Sequence, residues 1–214
     1  GTVEFDGNNV MLNVESNLPV EVNGVMAKSA LLDADQEDTP SFIAFGDIRM
    51  VVVRRSKGVG IRLWDNVREE RHTFPPRQWY PVKKEYRVPA TYTRYETPKI
   101  VKMPDILGAI LDEPMQGFVS FALNGKKYEL QVEELPDRRL FIQFMDLTNG
   151  NPTYPSGRYH YTDAHENDKV FIDFNKAYSP PCAFTEYATC TFPPQENHLK
   201  VAIDAGEIYP GHHD

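Results

Sequence analysis

The sequence predicts an all-β fold, an antiparallel barrel or sandwich of hairpins with long Pro-rich loops and little helix. Three observations lead there. Short β-branched and aromatic segments are separated by Asp-Gly, Asn-Gly and Gly-Asp pairs, the residues that accept the positive φ of tight hairpin loops. The 17 prolines and 13 glycines are spread through the 214 residues, and no stretch of a dozen residues keeps an uninterrupted 3.6-residue apolar period. Together these favour sheet over helix as the way to bury the core.

In chain order, residues 1–35 read as hairpins. TVEF and VMLNV flank Asp6-Gly7-Asn8-Asn9, and VEV and VMAKSALL flank Asn23-Gly24. SFIAF, IRMVVVRRS and VGIRLWD then form a meander turning at Gly46-Asp47 and Lys57-Gly58, with Arg62 and Asp65 at the end of its last strand. Residues 66–83 are charged and then Pro-rich, a long loop or short helix pinned by Trp79 and Tyr80. EYRVPATYTRY, PKIVKM, ILGAIL, GFVSFAL, KKYELQVEE and RRLFIQFMD follow as separate strands. The clearest hairpin runs from Phe118 to Glu133 about Asn124-Gly125, because both arms alternate apolar and polar residues. A chain of this length and class is expected to form one domain over residues 1–214.

The formal net charge of −8 would repel a phosphate backbone unless the basic residues were gathered on one face, and no such stripe is visible, so no nucleic-acid partner is expected. No apolar run approaches the roughly 20 residues of a spanning helix. No membrane span is expected, and oligomeric state is unknown from the sequence.

The chemistry-bearing residues concentrate between Arg138 and Glu207. Cys182 and Cys190, the two cysteines of the chain, could close a small disulfide loop contributing about 2–3 kcal/mol in the loop-entropy model, or lie as buried thiols. A zinc reading adding His198 and His160 lacks the tight C-x2-4-C spacing of such sites, and no metal ligand set is assigned. On an extended VFIDFN strand, Asp173 and Asn175 would share one face. Arg158 and His160 would share a face of GRYHY, with Arg158 ready for a ligand carboxylate or phosphate, or for an internal pair with Asp146 or Asp173. Arg62 admits the same two readings. A Cys182–His160–Asp173 triad can be assembled on paper, but no nucleophile-elbow, phosphate-loop or dinucleotide motif occurs. The terminal His212-His213-Asp214 reads as a tail rather than a ligand set.

The stretch FMDLTNGNPTYPSGRYHY, then VFIDFNKAYSPPCAFTEYATCTFPPQENHLKVAIDAGE, resembles the signature of a family of uncharacterised prokaryotic proteins grouped only as a domain of unknown function. The pattern runs D-x-T-x-G-x-x-T-Y-x-x-G-R-Y, D-F-N-x-A-Y-N-P-P-C, C-P-x-P-P-x-E-N and A-G-E. Ser179 departs from the usual Asn and Thr191 from the usual Pro, while GVGIRLWD resembles an earlier family element. The resemblance implies no activity. It implies an exported or cell-envelope setting, an oxidised cysteine pair, and a native lead segment with Trp and Arg that this chain lacks.

The leading expectation is a domain that binds a small polar or anionic molecule in a pocket built from Arg62, Asp146, Tyr154, Arg158, Asp173, Asn175 and Tyr178, with no cofactor. The alternatives are a hydrolase using Asp173 or Glu207 as base or metal ligand, a flavin-dependent barrel, and a structural or interaction module of the envelope.

Overall fold

The computed structural model describes residues 1–15, 17–55, 58–74, 76–209 and 211. Lys57 of the expected Lys57-Gly58 turn and the tail 212–214 lie outside them. The fold is all-β and divides into two compact units, residues 1–75 and 76–214.

The first unit begins with strands β1 (Thr2–Phe5) and β2 (Val10–Asn13), and the Asp6 carboxylate closes the turn between them by accepting the backbone N–H groups of Asn8 and Asn9. The two-residue strands β3 (Glu21–Val22) and β4 (Val25–Met26) form the Asn23-Gly24 hairpin, with both turn residues at positive φ. Strand β5 (Ser29–Leu32) completes a three-stranded sheet in the order β1-β2-β5. Strands β6 (Phe42–Phe45), β7 (Ile48–Arg55) and β8 (Gly58–Asp65) extend the second sheet in the order β4-β3-β6-β7-β8. Val10, Leu12, Leu32, Ile43 and Val52 of the two sheets share a small apolar core. A single-turn helix, α1 (Glu70–Thr73), falls inside the segment read as loop or short helix.

The second unit opens with β9 (Gln78–Trp79), followed by two long strands where the sequence suggests four short ones. Strand β10 (Arg87–Pro104) bends at a register shift between Arg94 and Lys99, where Pro98 removes a ladder donor, and β11 (Ile110–Leu123) runs antiparallel beside it. Strand β12 (Lys126–Glu134) returns from β11 through Asn124-Gly125 as expected. Strands β13 (Leu140–Phe144), β14 (Arg158–Tyr161) and β15 (Lys169–Asp173) complete a six-stranded antiparallel sheet, ordered β14-β13-β12-β11-β10-β15 and curled into a half-barrel. The short β16 (Glu207–Ile208) pairs with β9.

Alternation along β11 buries Val119, Phe121 and Leu123 in the concave core with Leu130, Leu140, Ile142, Phe144, Ile172 and Phe174. Strands β12 and β13 pair directly only at Glu133 with Phe141 and Glu134 with Leu140. Below that point they diverge, and Asn197 fills the gap. Its side-chain oxygen accepts the Gln131 N–H at 2.7 Å, and its amide donates to the carbonyls of Gln131 and Gln143 at 2.9 and 2.7 Å. One buried amide thus substitutes for missing ladder bonds, while the buried Gln131 side chain accepts the Tyr95 hydroxyl at 2.9 Å.

One expectation of strand geometry is corrected. VFIDFN is not extended throughout, since β15 ends at Asp173 and Phe174–Lys176 form a 3-10 turn. Strand alternation therefore does not align Asp173 with Asn175. Instead the Asp173 carboxylate caps the turn, accepting the Asn175 N–H at 3.2 Å and its side-chain amide at 2.8 Å.

Candidate functional site

Of the seven residues of the expected pocket, Arg62 lies in the first unit, and the six in the second unit engage different partners. Arg158 and Asp146 meet, both with side chains wholly shielded from solvent, at 2.5 Å. The Arg158 guanidinium also donates to the carbonyls of Ala205 and, at 3.1 Å, Ile203. The Asp146 carboxylate accepts from the N–H of Thr148 at 2.8 Å and from its hydroxyl at 2.6 Å. Of the two readings open for Arg158, the internal pair is what the geometry holds, because the carboxylate and both terminal guanidinium nitrogens are engaged from within.

Asn175 serves the chain path, exchanging two hydrogen bonds with the backbone of Lys83 at 3.0 and 2.9 Å. Tyr178 pairs its backbone with Tyr159 and stacks its ring on Tyr161. Tyr154 lies against the cysteines, donating to the Cys182 carbonyl at 3.3 Å. Arg62 belongs to the first unit, where it is exposed on β8 and its charge helps hold the Asp35 carboxyl below the usual range, behind the larger effect of the Arg55 hydrogen bond.

Neither paper constellation forms. Both ring nitrogens of His160 are buried without a hydrogen-bond partner among the described residues, so it joins neither Cys182 nor Asp173. Burial pushes its pKa down to about 4, leaving a neutral ring at pH 7. Among the described residues no three His, Cys, Asp or Glu side chains converge as a metal site. Cys182 and Cys190 are both free thiols, 5% and 8% exposed. Glu207 is 1% exposed and held by Arg77 from both carboxylate oxygens and by the Ser179 N–H at 2.5 Å.

An open concavity lies elsewhere in the second unit. A groove of about 800 Å³ runs between the β11–β12 hairpin and the segment from Glu196 to Lys200. Tyr128, half-buried and stacked on the buried Phe121 with ring centroids 5.8 Å apart, forms its aromatic wall. Lys127 reaches it from the hairpin and Lys200 from the opposite segment, with His198 beside them. Of the acidic residues of the groove, Glu196 pairs with Lys99 at 3.3 Å, whereas Glu129 accepts only the neutral Ser120 hydroxyl, also at 3.3 Å. Lys127 and Lys200 have no ion pair among the described residues. Asn197 positions this site, since anchoring it between β12 and β13 fixes the segment that carries His198 and Lys200. Sequence reasoning missed both lysines, because Lys127 reads as an ordinary strand residue and Lys200 as a loop residue. The only signal was the PPQEN run, in which a polar amide precedes the apolar Leu199.

A half-barrel β-domain with an open groove lined by aromatic and charged side chains is the class of protein that fold and site define. The chain belongs to the family described as "Protein of unknown function (DUF1684)", whose model matches residues 72–208, nearly the span of the second unit. Among solved structures it is similar to an uncharacterized protein of Haloarcula marismortui determined by solution NMR. That protein is 34% identical, with a TM-score of 0.52, over 65% of this chain and 80% of the other. No curated protein matches the chain.

Proposed function

We propose that the second unit binds a small anionic molecule, one with a carboxylate or phosphate joined to a flat ring, in the groove of the β11–β12 hairpin. The observation that carries this reading is the pair of cations, Lys127 and Lys200, without acidic partners among the described residues, flanking the Phe121–Tyr128 wall. The volume, about 800 Å³, falls within the range of roughly 300–1,000 Å³ usual for small-molecule sites. An anion bridging two lysines gains charge-assisted hydrogen bonds, and a ring laid on Tyr128 gains stacking area. This keeps the ligand class expected from the sequence and moves its site away from Arg158.

A carboxylate-based hydrolase has less support, because Asp173 caps a turn and Glu207 is held by Arg77 and the Ser179 N–H. Glu207, engaged at both oxygens and shielded from solvent, has no lone pair poised for substrate.

Titration of isotope-labelled protein with a panel of aromatic carboxylates and nucleoside monophosphates should shift amide signals of residues 120–129 and 196–200. The double variant Lys127→Ala/Lys200→Ala should weaken the best binder about tenfold or more, as expected for two ion pairs of up to about 1 kcal/mol each. Shifts confined to other residues, or unchanged affinity in the double variant, would refute the assignment.

A further inference from the structure

The loop from Cys182 to Cys190 holds chemistry that the groove does not use. Pro180 and Pro181 lead into a 3-10 turn over Pro181–Ala183 that fixes Cys182. The N–H of Cys182 donates to the Cys190 Sγ at 3.3 Å, and the Tyr154 hydroxyl lies 3.7 Å from the Cys182 Sγ. Both cysteines belong to one buried cluster with Tyr154 and Ala183. Thiols that merely filled an apolar core would lack such donors. Here the Cys190 sulfur accepts a backbone N–H, and the Tyr154 hydroxyl sits beside the Cys182 sulfur.

The two cysteines are also inequivalent. The hydrogen bond from Cys190, helped by Tyr154, pulls the Cys182 thiol below its usual value despite burial. The same hydrogen bond, and then desolvation, pushes Cys190 up. Nucleophilic attack requires the thiolate, so the pair has a built-in order of reaction.

We infer that Cys182 and Cys190 form a redox-active dithiol in which Cys182 attacks a low-molecular-weight disulfide and Cys190 resolves the product. In the first step the Cys182 thiolate forms a bond to one sulfur of RSSR, the S–S bond breaks, and RS⁻ leaves to be protonated by solvent. In the second, Cys190 gives up its proton to solvent and its sulfur bonds to the Cys182 Sγ, expelling the second RS⁻. Two cysteine thiols are oxidised to one disulfide and one RSSR is reduced to two RSH, a two-electron exchange. The loop is also tied to the rest of the unit. Phe184, two residues past Cys182, lies with its ring centroid 5.1 Å from the Arg77 guanidinium, and Arg77 both stacks on Trp79 and holds Glu207.

The test uses the full chain with oxidised glutathione as oxidant and peptide mapping by mass spectrometry as readout. The wild-type protein should yield a Cys182–Cys190 disulfide, two hydrogens lighter than the dithiol. Cys190→Ser should stop at a single glutathionyl adduct on Cys182. Limiting iodoacetamide at pH 7 on reduced wild-type protein should label Cys182 about tenfold or more faster than Cys190, a comparison that depends on no variant folding. Equal labelling of the two thiols, a first adduct on Cys190, or failure of the wild-type pair to oxidise would overturn the inference.

Discussion

Arg158 shows how one residue type carries two opposite readings until its surroundings are known. With both it and Asp146 fully shielded, the ion pair is a structural commitment. Removing one partner strands a buried charge. Asp146→Ala is therefore expected to cost about 3–5 kcal/mol, read as a lowered urea midpoint, whereas Arg62→Ala on exposed β8 should change stability by less than about 0.5 kcal/mol. A similar loss for both variants would contradict the burial argument. His160 supplies a pH signature. Burial lowers its pKa to about 4, with Asp173 and Asp163 pulling it up and Lys176 adding to the depression. The unfolded chain binds the proton more readily, so the contribution of the neutral ring is complete above about pH 6.5 and is lost as pH falls through about 4. Relative to His160→Phe, the wild-type protein should lose up to roughly 3 kcal/mol across that window. Parallel stability curves for the two proteins would disprove it.

At the scale of elements, Asn197 stands in for hydrogen bonds that β12 and β13 do not make with each other. Asn197→Leu leaves the Gln131 N–H and two carbonyls without their partner, at a cost of about 2–4 kcal/mol. The same change should broaden the amide signals of His198 and Lys200, because their segment loses its anchor. Unperturbed signals there would mean that Asn197 does not position the groove. Nearby, Gly206 makes the approach of β16 work, since it sits at φ +83 and a Cβ would fall 2.6 Å from the Ala177 carbonyl oxygen. Hairpins closed by Asn-Gly, as at 23–24 and 124–125, are legible in the sequence because turn chemistry and alternation are both local. The continuity of β10 was not legible. Pro98 looks like a strand boundary, yet the sheet absorbs it as a bulge.

For the molecule as a whole, the second unit coincides closely with the family match and has its own core, drawn from residues 86–205. A chain of residues 76–214 is expected to unfold cooperatively and to keep the dispersed amide spectrum of the intact protein for those residues. Collapse of that dispersion would show that the core of this unit does not suffice. The contrast between buried and open chemistry also belongs to this scale. Arg158, Asp146 and Glu207 lie enclosed, while Lys127 and Lys200, 73 positions apart in the sequence, line one groove.

The sequence by itself determined the all-β class, the principal hairpins, the family membership and the concentration of ionic and phenolic groups near the C-terminus. Each of these is a matter of near neighbours along the chain: period-two alternation, turn residues, proline spacing. Only the tertiary structure decided which charges neutralise one another and which stay open to solvent. A buried charge takes its partner from whatever the fold brings within about 3 Å, and curling a sheet into a half-barrel brings together residues that no local pattern connects.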